Sequence, residues 1–233
     1  MKTLLTINKI FVHSEVNNKS FFTDFNAKLN VIYGANTSGK STLIQLILFT
    51  FGINDNKTKL TKILSENIFT RLDISIKKDD EKIEYTFVRK DETIYIKDFK
   101  SNKIIKFNGI SGNNSAEHVK LKEFFNQLLN FDLLLETKAG ISKAPIETIF
   151  LPYYVSQDVG WVYLRKSFSN LDFYKNFKED FLDYYLGITR LVDKEKKKII
   201  ENELAEKTQR YNFYMNFEKN DSIIETSKLI DDS

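Results

Sequence analysis

Gly34-Ala35-Asn36-Thr37-Ser38-Gly39-Lys40-Ser41 spells G-x-x-x-x-G-K-[ST] without interruption, and the residues on either side give the motif its context. Before it, Leu29-Asn30-Val31-Ile32-Tyr33 reads as a buried strand; after it, Thr42-Leu43-Ile44-Gln45-Leu46-Ile47-Leu48-Phe49 reads as a helix. Strand, glycine loop and helix in that order are what a phosphate-binding loop requires. The glycines let the backbone wrap closely around a triphosphate, and the amides of the loop and first helical turn point at its oxygens. In that chemistry Asn36, Thr37, Ser38, Gly39, Lys40, Ser41 and Thr42 form the cradle. Lys40 reaches the β- and γ-phosphates and the Ser41 hydroxyl holds Mg²⁺. A nucleoside triphosphate with Mg²⁺ is the expected ligand.

With 233 residues the chain accommodates one substantial domain, or a domain plus an appendage. A hydrophobic content of 42%, with 20 Phe and 11 Tyr, supports a real core and excludes a disordered chain. Basic and acidic residues nearly cancel, leaving a net charge of +3, which neither demands nor excludes a nucleic-acid partner. The absence of cysteine rules out disulfides and cysteine-ligated metal, and fits a reducing cytoplasm. The longest apolar stretch, Leu43 to Phe51, is broken by Gln45 and Thr50 and falls short of the roughly 20 residues a spanning helix needs. The N-terminus lacks the apolar core of a signal peptide. A soluble cytoplasmic protein with no membrane contact is expected.

Residues 3 to 13 read as a first strand, with Ser20-Phe21-Phe22 pairing near it. From 70 to 108 the period switches to two. Arg71 to Lys77, Lys82 to Phe87 and Thr93 to Ile96 alternate cleanly, separated by polar turns such as Lys78-Asp79-Asp80-Glu81, and Ile104 to Phe107 is a last strand. Alternation with short polar connections predicts an antiparallel meander with one wet face, attached to a parallel-type nucleotide core. Ser111 to Ser115 predicts a turn and helix cap. Val119, Leu121, Phe124, Phe125, Leu128 and Leu129 then recur at helical spacing. A helix is expected from Leu171 to Tyr185, closed by Gly187. Beyond Thr189, Ile200, Leu204, Tyr211 and Tyr214 form an a/d-like stripe in a charged segment without Gly or Pro. That pattern fits either the start of a coiled coil or a solvated amphipathic helix.

Hydrolysis needs a second acidic element, an apolar strand ending in Asp. Leu133-Leu134-Leu135-Glu136 lacks the Asp, and Leu229-Ile230-Asp231-Asp232 has only two apolar residues before its acids. Neither fits, and no glycine-rich signature loop is visible.

The order of these features resembles the N-terminal half of the head of an SMC-like, SbcC/RecF-type ABC ATPase. The stretch Asn30 to Leu43 is similar to that family's loop, with Asn36 a particular point of likeness. The resemblance implies an α/β P-loop NTPase half-head, with a mixed sheet, an antiparallel meander and the start of a C-terminal coiled-coil helix. Residues 1–188 would be the N-terminal lobe and 189–233 the beginning of the arm. It also implies that Gln157, in Tyr154-Val155-Ser156-Gln157, is the catalytic glutamine that ligates Mg²⁺ and the attacking water. The alternative is a surface glutamine after an aromatic strand. Lys40 and Gln157 would carry catalysis, with ATP and Mg²⁺ as cofactors. The family's early Arg is missing, and Lys9 or His13 stands where it would be. The block from Phe150 to Tyr185 also looks like SMC-type ATPases of bacterial anti-phage defence systems such as Lamassu.

The implied partners are a second ATPase head, as a homodimer through ATP and coiled coil, DNA, and a nuclease or other effector subunit. Lysines cluster at Lys57-Thr58-Lys59-Leu60-Thr61-Lys62 and from Lys194 to Lys198, although such runs are usually solvated faces. Two other readings stand beside this one. A self-contained P-loop phosphotransferase or nucleotide switch would need its own catalytic acid, an Arg-bearing lid and a parallel sheet. A non-catalytic ATP-binding module would turn over only within an assembly.

Overall fold

Short turns of two to four residues between alternating strands organise the molecule. In a computed structural model, which describes residues 3–54, 57–110, 115–138, 140–156, 164–188, 196–197 and 199–216, the expected meander is present. It comprises β3 (Ile68–Lys78), β4 (Glu81–Lys90), β5 (Thr93–Asp98) and β6 (Lys103–Asn108). Asp79, Asp91 and Asn102 take positive φ at the hairpin turns, a conformation that short polar side chains tolerate. β1 (Thr3–Ser14) and β2 (Lys19–Asp24) extend the meander into one six-stranded sheet of order β2-β1-β3-β4-β5-β6. β1 lies directly against β3, with a bulge between Ile7 and Lys9.

Every pairing in this sheet is antiparallel. The mixed sheet expected from the nucleotide core does not form among the described residues. The reason lies at Leu29–Tyr33, which was expected to be a buried strand. It is extended chain without a ladder, and Leu29, Val31, Ile32 and Tyr33 are 78%, 75%, 41% and 90% exposed. A strand is buried only where neighbours satisfy its backbone and cover its faces. No described segment does either for this one.

Period-two alternation gives the sheet two unlike faces. Ile10, Leu72, Ile74, Ile76, Phe87, Ile94 and Ile96 point to one face and are buried. α1 (Lys40–Thr50) and α3 (Ala116–Leu129) pack there. Phe51, immediately after α1, meets Phe87 of β4 at 5.5 Å and Phe125 of α3 at 5.7 Å between ring centroids. Phe87 and Phe125 stack at 5.6 Å. Each such ring, taken out of water, stabilises the fold by about 2–3 kcal/mol. Ser115 caps α3 as expected, accepting from the His118 amide, and Asn130 ends the helix in the left-handed region. α2 (Lys57–Leu64) connects α1 to β3.

Two further segments depart from expectation, and the rejected acidic candidate at Leu133–Glu136 finds a separate place. Leu134–Thr137 is β7, paired antiparallel with β8 (Gly140–Lys143) in a separate two-stranded hairpin, so it belongs to no nucleotide-core sheet. The stretch read as an aromatic strand before Gln157 is instead a short helix α4 (Ile146–Phe150) running into a 3₁₀ turn at Leu151–Tyr153. Pro152 suits that turn because the first helical positions need no amide donor. The helix expected from Leu171 begins later. Ser169–Phe173 is 3₁₀, Asn176 takes φ 48°, and only then does α5 (Phe177–Leu186) start. Gly187 closes it at φ 65°, as expected.

The chain divides into two compact units, Met1–Phe177 and Lys178–Ser233. In the second, residues 196–197 and 199–216 are helical, and Ile200, Leu204, Tyr211 and Tyr214 are exposed. Among the described residues no helix is long and apolar enough to cross a membrane.

Candidate functional site

The glycine motif forms a curled, exposed loop ahead of α1. Thr37 at φ 64° and Gly39 at φ 87° both take left-handed backbone, turning the chain back on itself before the helix begins. The Ser38 amide donates to Ala35 O at 3.3 Å, closing the turn, and the Leu43 amide donates to Gly39 O at 2.9 Å, starting the helix. At Gly34 a Cβ would lie 2.8 Å from Ser38 Oγ, so the two ends of the loop approach as closely as glycine allows. Thr37 Oγ1 donates to Asn36 O. Asn30, just upstream, is locked to the backbone of Asn26 through both atoms of its amide, at 2.7 and 2.8 Å.

Lys40 is the centre of this loop. Its Nζ donates to Gly34 O at 2.9 Å, to Ala35 O at 2.8 Å and to Ser38 Oγ at 3.4 Å. An ammonium group held inside the loop by neutral carbonyls has strong hydrogen bonds but no counter-charge from them. An anion entering the loop would supply one. The start of α1 adds the partial positive charge of unpaired helical amides, and the first turn contains no acidic residue to compete. Lysine, curled backbone and helix start fit a phosphate group. Ser41 follows Lys40 at the exposed start of the helix, where its hydroxyl suits a hydrated divalent cation.

The other end of α1 is fixed. Its second half, Gln45 to Thr50, is buried. Arg89 of β4, fully buried, donates through Nη1 to Phe49 O, through Nη2 to Asn54 Oδ1 at 2.7 Å and through Nε to Asp91 O at 3.0 Å. Its guanidinium lies 3.6 Å from the centroid of the Phe49 ring. Burial pushes the Arg89 pKa down to about 9, opposed by the Glu92 and Asp91 carboxylates, and at neutral pH it remains a cation. It therefore places positive charge at the negative end of the α1 dipole. Thr50 Oγ1 donates to Leu46 O at 2.7 Å and bonds Thr70 Oγ1 of β3 at 2.8 Å. Gly52, at φ 98°, then turns the chain away. The loop thus sits on the free end of a helix whose far end is clamped to the sheet.

Sequence reading did not single out Arg89. The signal was its parity: Tyr85, Phe87 and Arg89 alternate on one face, so an arginine in that register had to be buried and had to find acceptors. Lys9 and His13 do not fill the place of the missing early arginine. Both lie on the face of β1 opposite α1, where Lys9 pairs with Asp24 at 3.3 Å and His13 Nδ1 hydrogen-bonds Ser20 Oγ at 2.9 Å. Glu136 accepts from Lys175 Nζ at 3.4 Å at the edge of the small hairpin and is no substitute for a catalytic acid. Gln157 lies outside the described residues, as do Trp161 and the Leu229 to Asp232 segment. Ser156, beside Gln157, is buried, with its amide donating to Ser167 Oγ at 3.1 Å. Among the described residues no group of acidic and histidine side chains is arranged to hold a metal ion.

Next to the loop is an open hollow of about 370 Å³, bounded by Phe21, Phe25, Leu29, Val31, Ile32, Tyr33 and Leu43 among others. Thr23, Asp24, Asn26 and Asn30 complete a lining that is polar and apolar in equal measure, and the hollow follows the bare segment that leads into the loop.

Two comparisons with known proteins bear on this site. A family model described as an AAA domain matches residues 5–230. Lamassu protein LmuB of Bacillus cereus (strain VD014) is 28% identical over 183 residues, covering 78% of this chain and 30% of that protein.

Proposed function

The chain belongs to the AAA-domain family of SMC-like ATPases, and from that premise we propose that it is the ATP-binding half of an ATPase head. The single observation that carries this reading is the state of Leu29–Tyr33. The loop, the Lys40 cradle and the clamped helix are in place, yet the segment that feeds them forms no ladder and leaves its apolar side chains bare. A run that leaves Leu29, Val31, Ile32 and Tyr33 bare beside an open hollow is a docking edge for further strands. In this reading they come from a C-terminal half of the head, which would also bring the acidic Mg²⁺-positioning strand not seen here. LmuB, of which the matched region covers 30%, has ample length for such a half.

In the completed site Asn36 to Thr42 would wrap the phosphates, Lys40 would exchange its loop carbonyls for the β- and γ-oxygens, and Ser41 and Gln157 would hold Mg²⁺. A second head closes over the γ-phosphate, so that hydrolysis follows head engagement. The exposed Ile200, Leu204, Tyr211 and Tyr214 stripe begins the coiled-coil arm that joins the two copies. Likeness to a Lamassu protein supports an anti-phage defence role, and this reading takes DNA as the cargo and a nuclease or other effector subunit as partner.

Calorimetry and steady-state phosphate release test this reading. The 233-residue chain is expected to bind Mg-ATP, to lose that binding on Lys40→Ala, and to turn over negligibly until the C-terminal half is added. Sustained hydrolysis by the isolated chain, abolished by Lys40→Ala, would instead establish a self-contained phosphotransferase or switch.

A further inference from the structure

The sheet face opposite the helices serves neither the core nor the glycine loop. The strand register aligns its side chains in rows, and one row crosses all six strands as Phe22, Phe11, Arg71, Val88, Tyr95 and Lys106. Adjacent strands lie about 4.8 Å apart, so this row is roughly 24 Å long. Three of its large rings are not covered: Phe22 is 62% and Tyr95 40% exposed, and Phe99 at the end of β5 is 50% exposed. Each carries a lysine over its face. Lys9 Nζ lies 5.3 Å from the Phe22 centroid, Lys106 Nζ 5.5 Å from that of Tyr95, and Lys97 Nζ 4.9 Å from that of Phe99.

Charge on this face is one-sided. Its carboxylates are each matched by a neighbour: Asp24 by Lys9 at 3.3 Å, Asp73 by Arg71 at 3.0 Å and Glu84 by Lys82 at 3.4 Å. Lys97 and Lys106 are beyond that count and rest against rings rather than carboxylates. Exposed ring faces spaced along a flat sheet, with surplus ammonium groups between them, match unpaired bases strung on a phosphate backbone. A ring can stack on any base, and the lysines meet the phosphates. Duplex DNA keeps its base faces stacked inside and would leave the rings without partners. A protein partner would be served by a continuous apolar patch, which the interleaved lysines break up.

We propose that the open face of the six-stranded sheet, centred on Phe22, Tyr95, Lys97 and Lys106, binds single-stranded nucleic acid by stacking and phosphate contact. This surface lies across the sheet from α1 and does not depend on the ATPase reading. The test is fluorescence anisotropy on the full chain with labelled oligothymidylate and oligouridylate of about 15 nucleotides, each against a duplex of equal length. At least one single strand should bind more tightly than the duplex. Phe22→Ala with Tyr95→Ala should weaken it about tenfold or more, while Tyr95→Phe, which keeps the ring, should not. Lys97→Gln with Lys106→Gln should lower the slope of log affinity against log salt by about 1.4, or roughly 0.7 per lost phosphate contact. Lys40→Ala should leave single-strand binding intact, so failure of the nucleotide site and failure of this face are separable. Circular dichroism confirms that the variants fold, which is expected because every replaced side chain is at the surface. Absence of binding, equal or tighter binding of duplex, or indifference to both double variants overturns the proposal.

Discussion

Gly52 sets how the loop-bearing helix leaves the core, and Gly52→Ala tests that role quantitatively. The residue follows the C-cap of α1; its amide donates to Phe49 O at 2.9 Å and that of Ile53 to Leu48 O at 3.2 Å. Its φ of 98° lies where a side chain is strained, at a cost of about 1–3 kcal/mol. A Cβ there would stand 2.6 Å from Leu121 Cδ2, with Ile94 and Ile146 methyls behind it. Leu121 is fully buried on α3 and has little room to yield, which adds about 1–3 kcal/mol of overpacking. Both effects act in one direction, so urea denaturation should show a loss of about 2–6 kcal/mol, a large share of a domain's stability. Repeating the substitution in a Leu121→Ala background separates the causes. There the clash disappears and only the backbone strain, about 1–3 kcal/mol, should remain. Equal losses in both backgrounds would refute the steric account, and a loss below about 0.5 kcal/mol in the parent chain would refute both parts.

Other outcomes follow from the same geometry. Arg89→Met keeps volume but strips donors from Phe49 O, Asn54 Oδ1 and Asp91 O; relief of the buried charge offsets part of the loss, and a net destabilisation of about 2–4 kcal/mol is expected by denaturation, together with weaker nucleotide binding as α1 loosens. Val31→Asp with Tyr33→Asp should change the stability of this chain by less than about 1 kcal/mol, since both side chains are exposed, yet abolish co-purification with a C-terminal half; a large loss of stability would show the segment to be already packed. Tyr174 is pushed up to about 12 by burial, then by the Glu147 carboxylate. Its folded-state pKa is above the ordinary value of 10.0, so its contribution is complete below pH 10 and is lost as pH rises towards 12. Tyrosinate absorbance should lose a late-ionising component on Tyr174→Phe, distinct from Tyr85, which burial also pushes up, and that variant should lose less stability than the parent over this pH range.

Local pattern was enough for much of this structure. The turns at Asp79 and Asp91 and the alternation of Leu72, Ile74 and Ile76 were legible because hairpin neighbours are close in sequence and one buried face imposes a strict period. The Ser115 cap and the helix after it were legible for the same reason. The glycine loop was legible because few backbones need glycine, lysine and serine at those spacings. The 3₁₀ segment before α5 was not, because Leu171 and Phe173 fit a helical stripe while Asn176 interrupts it through backbone conformation alone. Leu134 and Leu135 likewise carry no mark of whether their strand joins a core sheet or a hairpin.

What the sequence by itself determined is therefore the kind of loop, the helix behind it and the two-faced meander, all products of short-range spacing. Only the tertiary structure decided that Arg89 grips the far end of that helix, that Gly52 must be free of a Cβ, and that Leu29–Tyr33 lies bare. Those facts depend on which distant segments meet. An apolar run states a need for burial, but whether the need is met depends on the neighbours that fold against it.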